Sequence, residues 1–81
     1  MKVSVRLFAA ARELAGTERV TLELSPGTTV EGLKEHLGET LPQLVPLLPQ
    51  LLVAINGVYA VPEMLIPENA EVACFPPVSG G

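Results

Sequence analysis

The 23 positions between Glu39 and Glu63 carry no charged side chain. A run of that length could cross a bilayer, but Pro42, Pro46 and Pro49 fall inside it. Each proline removes a backbone donor and clashes with the turn before it, and Asn56-Gly57 adds a strong turn signal. Lipid has no partner for the backbone groups so freed, and a membrane span is excluded. The run must instead enter a protein core. Leu41 to Leu51 reads as irregular turns or a fragmentary helix. Leu52–Ile55 and Val58–Val61 read as a hairpin closed by Asn56-Gly57, whose second strand is short, stopped by Pro62 and placed at a sheet edge.

The remaining 58 residues bound how that core is built. With 81 residues, 48% apolar and only 17% charged, and a mean hydropathy of +0.42, the chain should collapse around a single core. No covalent or metal staple is available: Cys74 is the only cysteine and His36 the only histidine. Nine Glu and no Asp stand against five Lys or Arg, for a net charge of −4. That sign repels phosphate backbones and argues against nucleic acid as a partner, while it favours a partner protein with a basic pocket. The N-terminus lacks the apolar run and cleavage site of a signal peptide. A cytoplasmic domain is expected.

Lys2 to Phe8 alternates with period two, placing Val3, Val5 and Leu7 on one face. Ala9–Ala15 offers about two turns of helix formers with Gly16 as a stop. Arg19–Leu24 alternates again and should pair antiparallel with the first strand. Thr28 to Leu37 reads as the main helix, with Thr28-x-x-Glu31 at capping-box spacing and Val30, Leu33 and Leu37 as its apolar stripe. Glu71–Phe75 is the last strand, closed by Pro76-Pro77. The path from the second strand through the helix to a later strand suggests a crossover, with parallel pairing near the middle. The order predicts an α+β fold: a β-grasp (ubiquitin-like) roll with a mixed sheet of about five strands, crossed by one main helix plus short helical turns. Residues 1–75 would form the domain and 76–81 an extended tail.

Conventional catalysis finds little purchase. His36 lies off the apolar stripe and reads as a solvated helix residue, Cys74 as a buried small hydrophobe, and the glutamates are scattered. The tail differs. Pro76-Pro77-Val78-Ser79-Gly80-Gly81 has no charged side chain. Prolines favour a stiff extended base, and glycines let a partner's backbone close around the tip. Such an end suits insertion into another enzyme's active site, with the α-carboxylate of Gly81 as the reacting group. A carboxylate becomes an electrophile only as a mixed anhydride such as an acyl adenylate. Sulfur can then displace AMP and leave a thiocarboxylate.

Leu7-Phe8-Ala9 with Ala11-Arg12-Glu13-Leu14-Ala15-Gly16, Thr29-Val30-x-x-Leu33, Val53-Ala54-Ile55-Asn56, and above all Phe75-Pro76-Pro77-Val78-Ser79-Gly80-Gly81 resemble the small subunits of molybdopterin synthase, the ubiquitin-like sulfur carriers. The likeness spans the chain. It departs at Glu68-Asn69-Ala70-Glu71, where the family usually has an acidic Asp-Gly-Asp turn, at Cys74, and in the proline-rich 42–49 stretch. The resemblance implies that a ubiquitin-activating-like adenylating enzyme uses ATP and Mg²⁺ to activate Gly81, with no cofactor held tightly by the chain itself. A sulfur donor system then forms the thiocarboxylate. The tail enters the large synthase subunit, which passes sulfur to cyclic pyranopterin monophosphate. Carriers for thiamine or tRNA 2-thiouridine synthesis, a ubiquitin-like protein modifier and a passive binding module remain alternatives.

The strand phases add a docking surface. With Val5, Leu7, Val53, Val72 and Cys74 facing the helix, Phe8, Ala54, Ala73 and Phe75 face outward. Clustered outward aromatics mark an interface. Phe8 and Phe75, with Pro76, Pro77, Val78, Ser79 and Gly80 of the tail, are therefore the candidate partner contacts. Arg12 is a candidate to meet acidic partner groups or to remain solvated.

Overall fold

The computed structural model describes residues 1–77; Val78, Ser79, Gly80 and Gly81 lie outside the described residues. Five strands, β1 (Lys2–Leu7), β2 (Arg19–Glu23), β3 (Leu52–Ile55), β4 (Val58–Tyr59) and β5 (Glu71–Phe75), form one sheet in the order β2-β1-β5-β3-β4. β1 pairs antiparallel with β2 and parallel with β5, and β3 runs antiparallel to both β5 and β4. Two α-helices, α1 (Ala9–Ala15) and α2 (Val30–Thr40), and a 3-10 helix (Pro42–Gln50) complete the domain. This is the β-grasp arrangement.

Alternation fixed the faces. Val3, Val5, Leu7, Val53, Ile55, Val72 and Cys74 point inward and meet Leu33 and Leu37 of α2, with Leu44 closing the core from the 3-10 helix. Burying each such side chain contributes about 1.5–3 kcal/mol. No polar or charged residue is buried among them.

Three expectations are corrected. The main helix is α2, Val30–Thr40, rather than 28–37, and its cap is Thr29, whose hydroxyl accepts the Gly32 N–H at 3.2 Å. Thr28 is held outside the helix because its carbonyl accepts the Ile66 N–H at 2.9 Å and Thr29 bridges Leu65. Gly32 at the third helical position has no carboxylate, so there is no capping box. Gly38 does not end the helix. A Cβ there would lie 2.7 Å from Leu48 Cδ1, so the glycine lets the 3-10 helix close onto α2. Second, β4 is Val58–Tyr59 and stops before Val61, although the Ala60 N–H still reaches the Val53 carbonyl at 2.9 Å. Third, parallel pairing does lie in the middle of the sheet, as expected, but it joins β1 with β5, and the second strand takes no part in it. α2 carries the chain across the sheet without laying its two flanking strands side by side.

The hairpin turn holds as expected. Asn56 (φ 50°) and Gly57 (φ 84°) both take the left-handed backbone that a type I′ turn needs. Gly16 (φ 76°) ends α1 in the same region.

Candidate functional site

β5 is a central strand, hydrogen-bonded to β1 on one side and β3 on the other. Its inward residues, Val72 and Cys74, anchor it in the core. Its outward residues, Glu71, Ala73 and Phe75, face the side of the sheet that α2 does not cover. Pro76 has no N–H and follows Phe75 directly, so the ladder ends there.

On that outer face, Phe8, Ala54, Gly57, Tyr59, Ala73 and Phe75 line one shallow apolar groove of about 460 Å³. The Tyr59 and Phe75 rings meet edge to face, with centroids 5.7 Å apart and planes at 64°, a geometry worth about 0.5–1.5 kcal/mol. Phe8 caps α1 in extended backbone, and its N–H donates to the Cys74 carbonyl at 3.2 Å. Ala9 then turns through φ 53°, a conformation that costs a residue with a Cβ about 1–2 kcal/mol. The Arg6 guanidinium lies over the Phe8 ring, 5.2 Å from its centroid.

The structure therefore brings Phe8 and Phe75 together on one surface and leads Pro76 and Pro77 out from the end of the central strand β5. The tail residues Val78, Ser79, Gly80 and Gly81 lie outside the described residues. Arg12 stands apart on α1, exposed, with Nη1 3.9 Å from Glu18 Oε2; solvent screening leaves such a pair little energy. Tyr59 was missed, and the sequence held the signal for it. A two-residue turn pairs Ile55 with Val58 and Ala54 with Tyr59, so Tyr59 shares the face of Ala54.

Among the described residues no cluster of reactive side chains competes with this surface. Burial pushes the Cys74 thiol up to about 12, with Lys34 opposing part of that rise, so the buried sulfur stays protonated and unreactive. His36 is exposed, with Nδ1 3.8 Å from Glu39 Oε1. A larger hollow, about 590 Å³ between α2 and the β3–β4 hairpin, is lined in part by Glu31, Lys34 and Glu63 and holds no Ser, Cys or His. Among the described residues no three His, Cys or Glu side chains gather as a metal site, and no helix is long and apolar enough to cross a membrane.

Comparison with known proteins places this geometry in context. The model of the ThiS family matches residues 5–81. The molybdopterin synthase sulfur carrier subunit of Arabidopsis thaliana is 32% identical over 81 residues, covering 100% of this chain and 84% of that protein. Its Haemophilus influenzae counterpart is 37% identical, covering 98% of this chain and 99% of that one. Among solved structures, small archaeal modifier protein 1 of Haloferax volcanii superposes with a TM-score of 0.86 at 27% identity, covering 95% of this chain and 98% of that one.

Proposed function

The chain belongs to the ThiS family, and from that premise we propose that it is a sulfur carrier of molybdenum cofactor biosynthesis, the small subunit of a two-subunit molybdopterin synthase. The observation that carries the reading is the end-to-end match to molybdopterin synthase sulfur carrier subunits, joined to the Phe75-Pro76-Pro77-Val78-Ser79-Gly80-Gly81 sequence.

The chemistry belongs to the Gly81 carboxylate. Its oxygen attacks the α-phosphorus of ATP on an adenylating enzyme, with Mg²⁺ neutralising the phosphates, and pyrophosphate leaves. Sulfur at the sulfide level from the donor system adds to the acyl carbon and expels AMP, leaving the thiocarboxylate; a persulfide donor gives an acyl disulfide first, whose S–S bond a thiol reductant cleaves. In the large subunit that sulfur passes to cyclic pyranopterin monophosphate. The sulfur's new bond to the pterin leaves a thioester to Gly81; water cleaves its acyl C–S bond, returning Gly81 to the carboxylate and leaving the sulfur on the pterin, and two carriers serve each dithiolene. The domain of residues 1–75 acts as the handle and residues 76–81 as the inserted tail, with Phe8, Phe75 and Tyr59 against the partner. The setting proposed is the cytoplasm.

A second reading, a protein modifier joined through Gly81 to lysines, draws on the likeness to small archaeal modifier protein 1. One experiment separates the two. The chain is incubated with the adenylating enzyme, ATP, Mg²⁺ and a sulfur source, then weighed intact and offered to the large subunit with the pterin precursor. Oxygen-to-sulfur exchange followed by dithiolene formation is expected, and a variant with one residue added after Gly81 should do neither. Covalent ladders with other proteins, without pterin product, would overturn the carrier reading.

A further inference from the structure

The outer face of the sheet carries a local charge opposite in sign to the chain. Arg6 of β1 stands directly across from Arg19 of β2. The Leu7 N–H donates to the Glu18 carbonyl at 2.9 Å, and the Leu24 N–H to the Met1 carbonyl at 2.8 Å. These bonds put the odd-numbered residues of β1 in the hydrogen-bonded positions. Arg6 and Arg19 therefore form a non-hydrogen-bonded pair, where opposite Cα atoms approach to about 4.5 Å and side chains lie closest. Like charges so placed destabilise a sheet.

Nothing among the described residues neutralises them. Ion pairs form at Met1–Glu23 and Arg12–Glu18, and neither Arg6 nor Arg19 has a carboxylate within 4.0 Å. Glu71 shares a hollow of about 140 Å³ with Arg6, Phe8 and Ala73, yet the Arg6 guanidinium lies over the Phe8 ring instead. Lys2, Arg6 and Arg19 put three of the chain's five basic side chains on this face, against two carboxylates, Glu23 across from Lys2 and Glu71 beside Ser4. Many of the carboxylates lie elsewhere, Glu31, Glu35 and Glu39 on α2 among them. Phe8 and Ala73 line both that hollow and the apolar groove, so the basic and apolar surfaces are continuous.

We infer that Arg6 and Arg19 form a receptor for carboxylates on the protein that docks at the Phe8–Phe75 groove, whose contact surface must carry an acidic rim along its β1–β2 side. The inference rests on the proposed function for its occupant, the large synthase subunit. Net charge alone points to a basic partner; the register of β1 and β2 points the other way for this part of the footprint. The two demands are compatible, because a basic pocket for the tail and an acidic rim for the sheet would meet different parts of the carrier. Opposed charge at the rim speeds association and sets orientation.

The test compares the wild-type chain with Arg6→Glu/Arg19→Glu and Arg6→Lys/Arg19→Lys, measuring association with the large subunit across a range of salt and thermal stability of each carrier alone. The glutamate pair should associate at least tenfold more slowly at low salt, with a flatter salt dependence. The lysine pair should stay near the wild-type rate. Both variants should melt within a few degrees of wild type, which separates docking from folding. Wild-type rate and salt dependence in the glutamate pair would overturn the inference, as would equal loss in the lysine pair. So would self-association of the wild-type chain that the glutamate pair abolishes, since that assigns the arginines to a second copy. If the wild-type carrier fails to bind the large subunit at all, the functional reading falls and takes this occupant with it.

Discussion

Replacing Phe75 with alanine should separate docking from folding, and the structure sets the size of each effect. Phe75 is only partly buried and lies outside the core; its defined aromatic contact is the edge-to-face meeting with Tyr59 at 5.7 Å. Losing that pair costs about 0.5–1.5 kcal/mol, and the partial burial of the ring adds to it, for a total of about 1–2 kcal/mol. A fully buried phenylalanine would cost about 3–5 kcal/mol. A domain of this length has a stability of about 4–12 kcal/mol, so the variant stays folded at 25 °C, with a melting temperature lowered by about 4–16 °C. At an interface centre an aromatic truncation costs 2 kcal/mol or more, about thirtyfold in affinity. Thermal denaturation and calorimetric titration with the large subunit read the two effects. Val45→Ala, on the exposed side of the 3-10 helix, is the control and should change neither by much. A loss of 4 kcal/mol or more in Phe75→Ala would put the ring in the core. Affinity within twofold of wild type would mean that the groove is not where the partner sits.

Two further outcomes follow from the turn and the thiol. The Asn56 side-chain carbonyl accepts the Glu71 N–H at 2.9 Å, while the Asn56 N–H donates to the Glu71 carbonyl at 2.8 Å. Asn56→Ala should cost about 1–2 kcal/mol by denaturant titration, from the lost acceptor and the left-handed backbone, and Asn56→Gly about half as much because it relieves the strain. The Cys74 thiol, pushed up to about 12 by burial, binds its proton more tightly folded than unfolded. Its contribution to stability is complete below about pH 9 and is lost as pH rises from there toward 12, at up to about 1.4 kcal/mol per pH unit. Cys74→Ala should flatten that alkaline decline, and the native thiol should react with a disulfide reagent only as fast as the chain opens. Rapid labelling at neutral pH under native conditions would contradict its burial.

The parts of this fold that were legible in the sequence are those set by local rules. Period-two alternation assigned Val3, Val5, Leu7, Val72 and Cys74 to the inner face, the Asn56-Gly57 pair fixed the hairpin, and Gly16 ended α1 where a left-handed residue was needed. The start of α2 was misread because two threonines compete for the cap. Thr28 matches the capping box, but tertiary bonds from Ile66 and Leu65 hold the chain extended through Thr29. The pairing of β1 with β5 was equally hidden, since alternation says which face a residue takes and never which strand lies beside it. Tyr59 was within reach of register counting across a two-residue turn. The opposition of Arg6 and Arg19 was not, because α1 and the loop after it lie between their strands and leave the offset undetermined.

That hidden pairing bears on how a tail can be used. β5 is gripped on both edges, through Ser4 to Leu7 of β1 and Leu52 to Ile55 of β3, and Val72 and Cys74 are sealed beneath it. Pro76 ends the ladder at the residue after Phe75, so Pro76 and Pro77 leave from the middle of the sheet rather than from a fraying edge. A partner drawing on the residues beyond would load a strand that can yield only by breaking hydrogen bonds on two sides at once. The same register puts Phe75 at the tail's root and Arg6 across from Ala73, so an enzyme closing on the tail from the outer face meets the aromatic groove first and the two arginines beside it. On the proposed function, docking and presentation would be coupled through one strand. Changes at Phe75 and Arg6 should act on how fast the partner binds, whereas changes that loosen β5, such as Val72→Ala, should leave the encounter intact and weaken the hold on the tail.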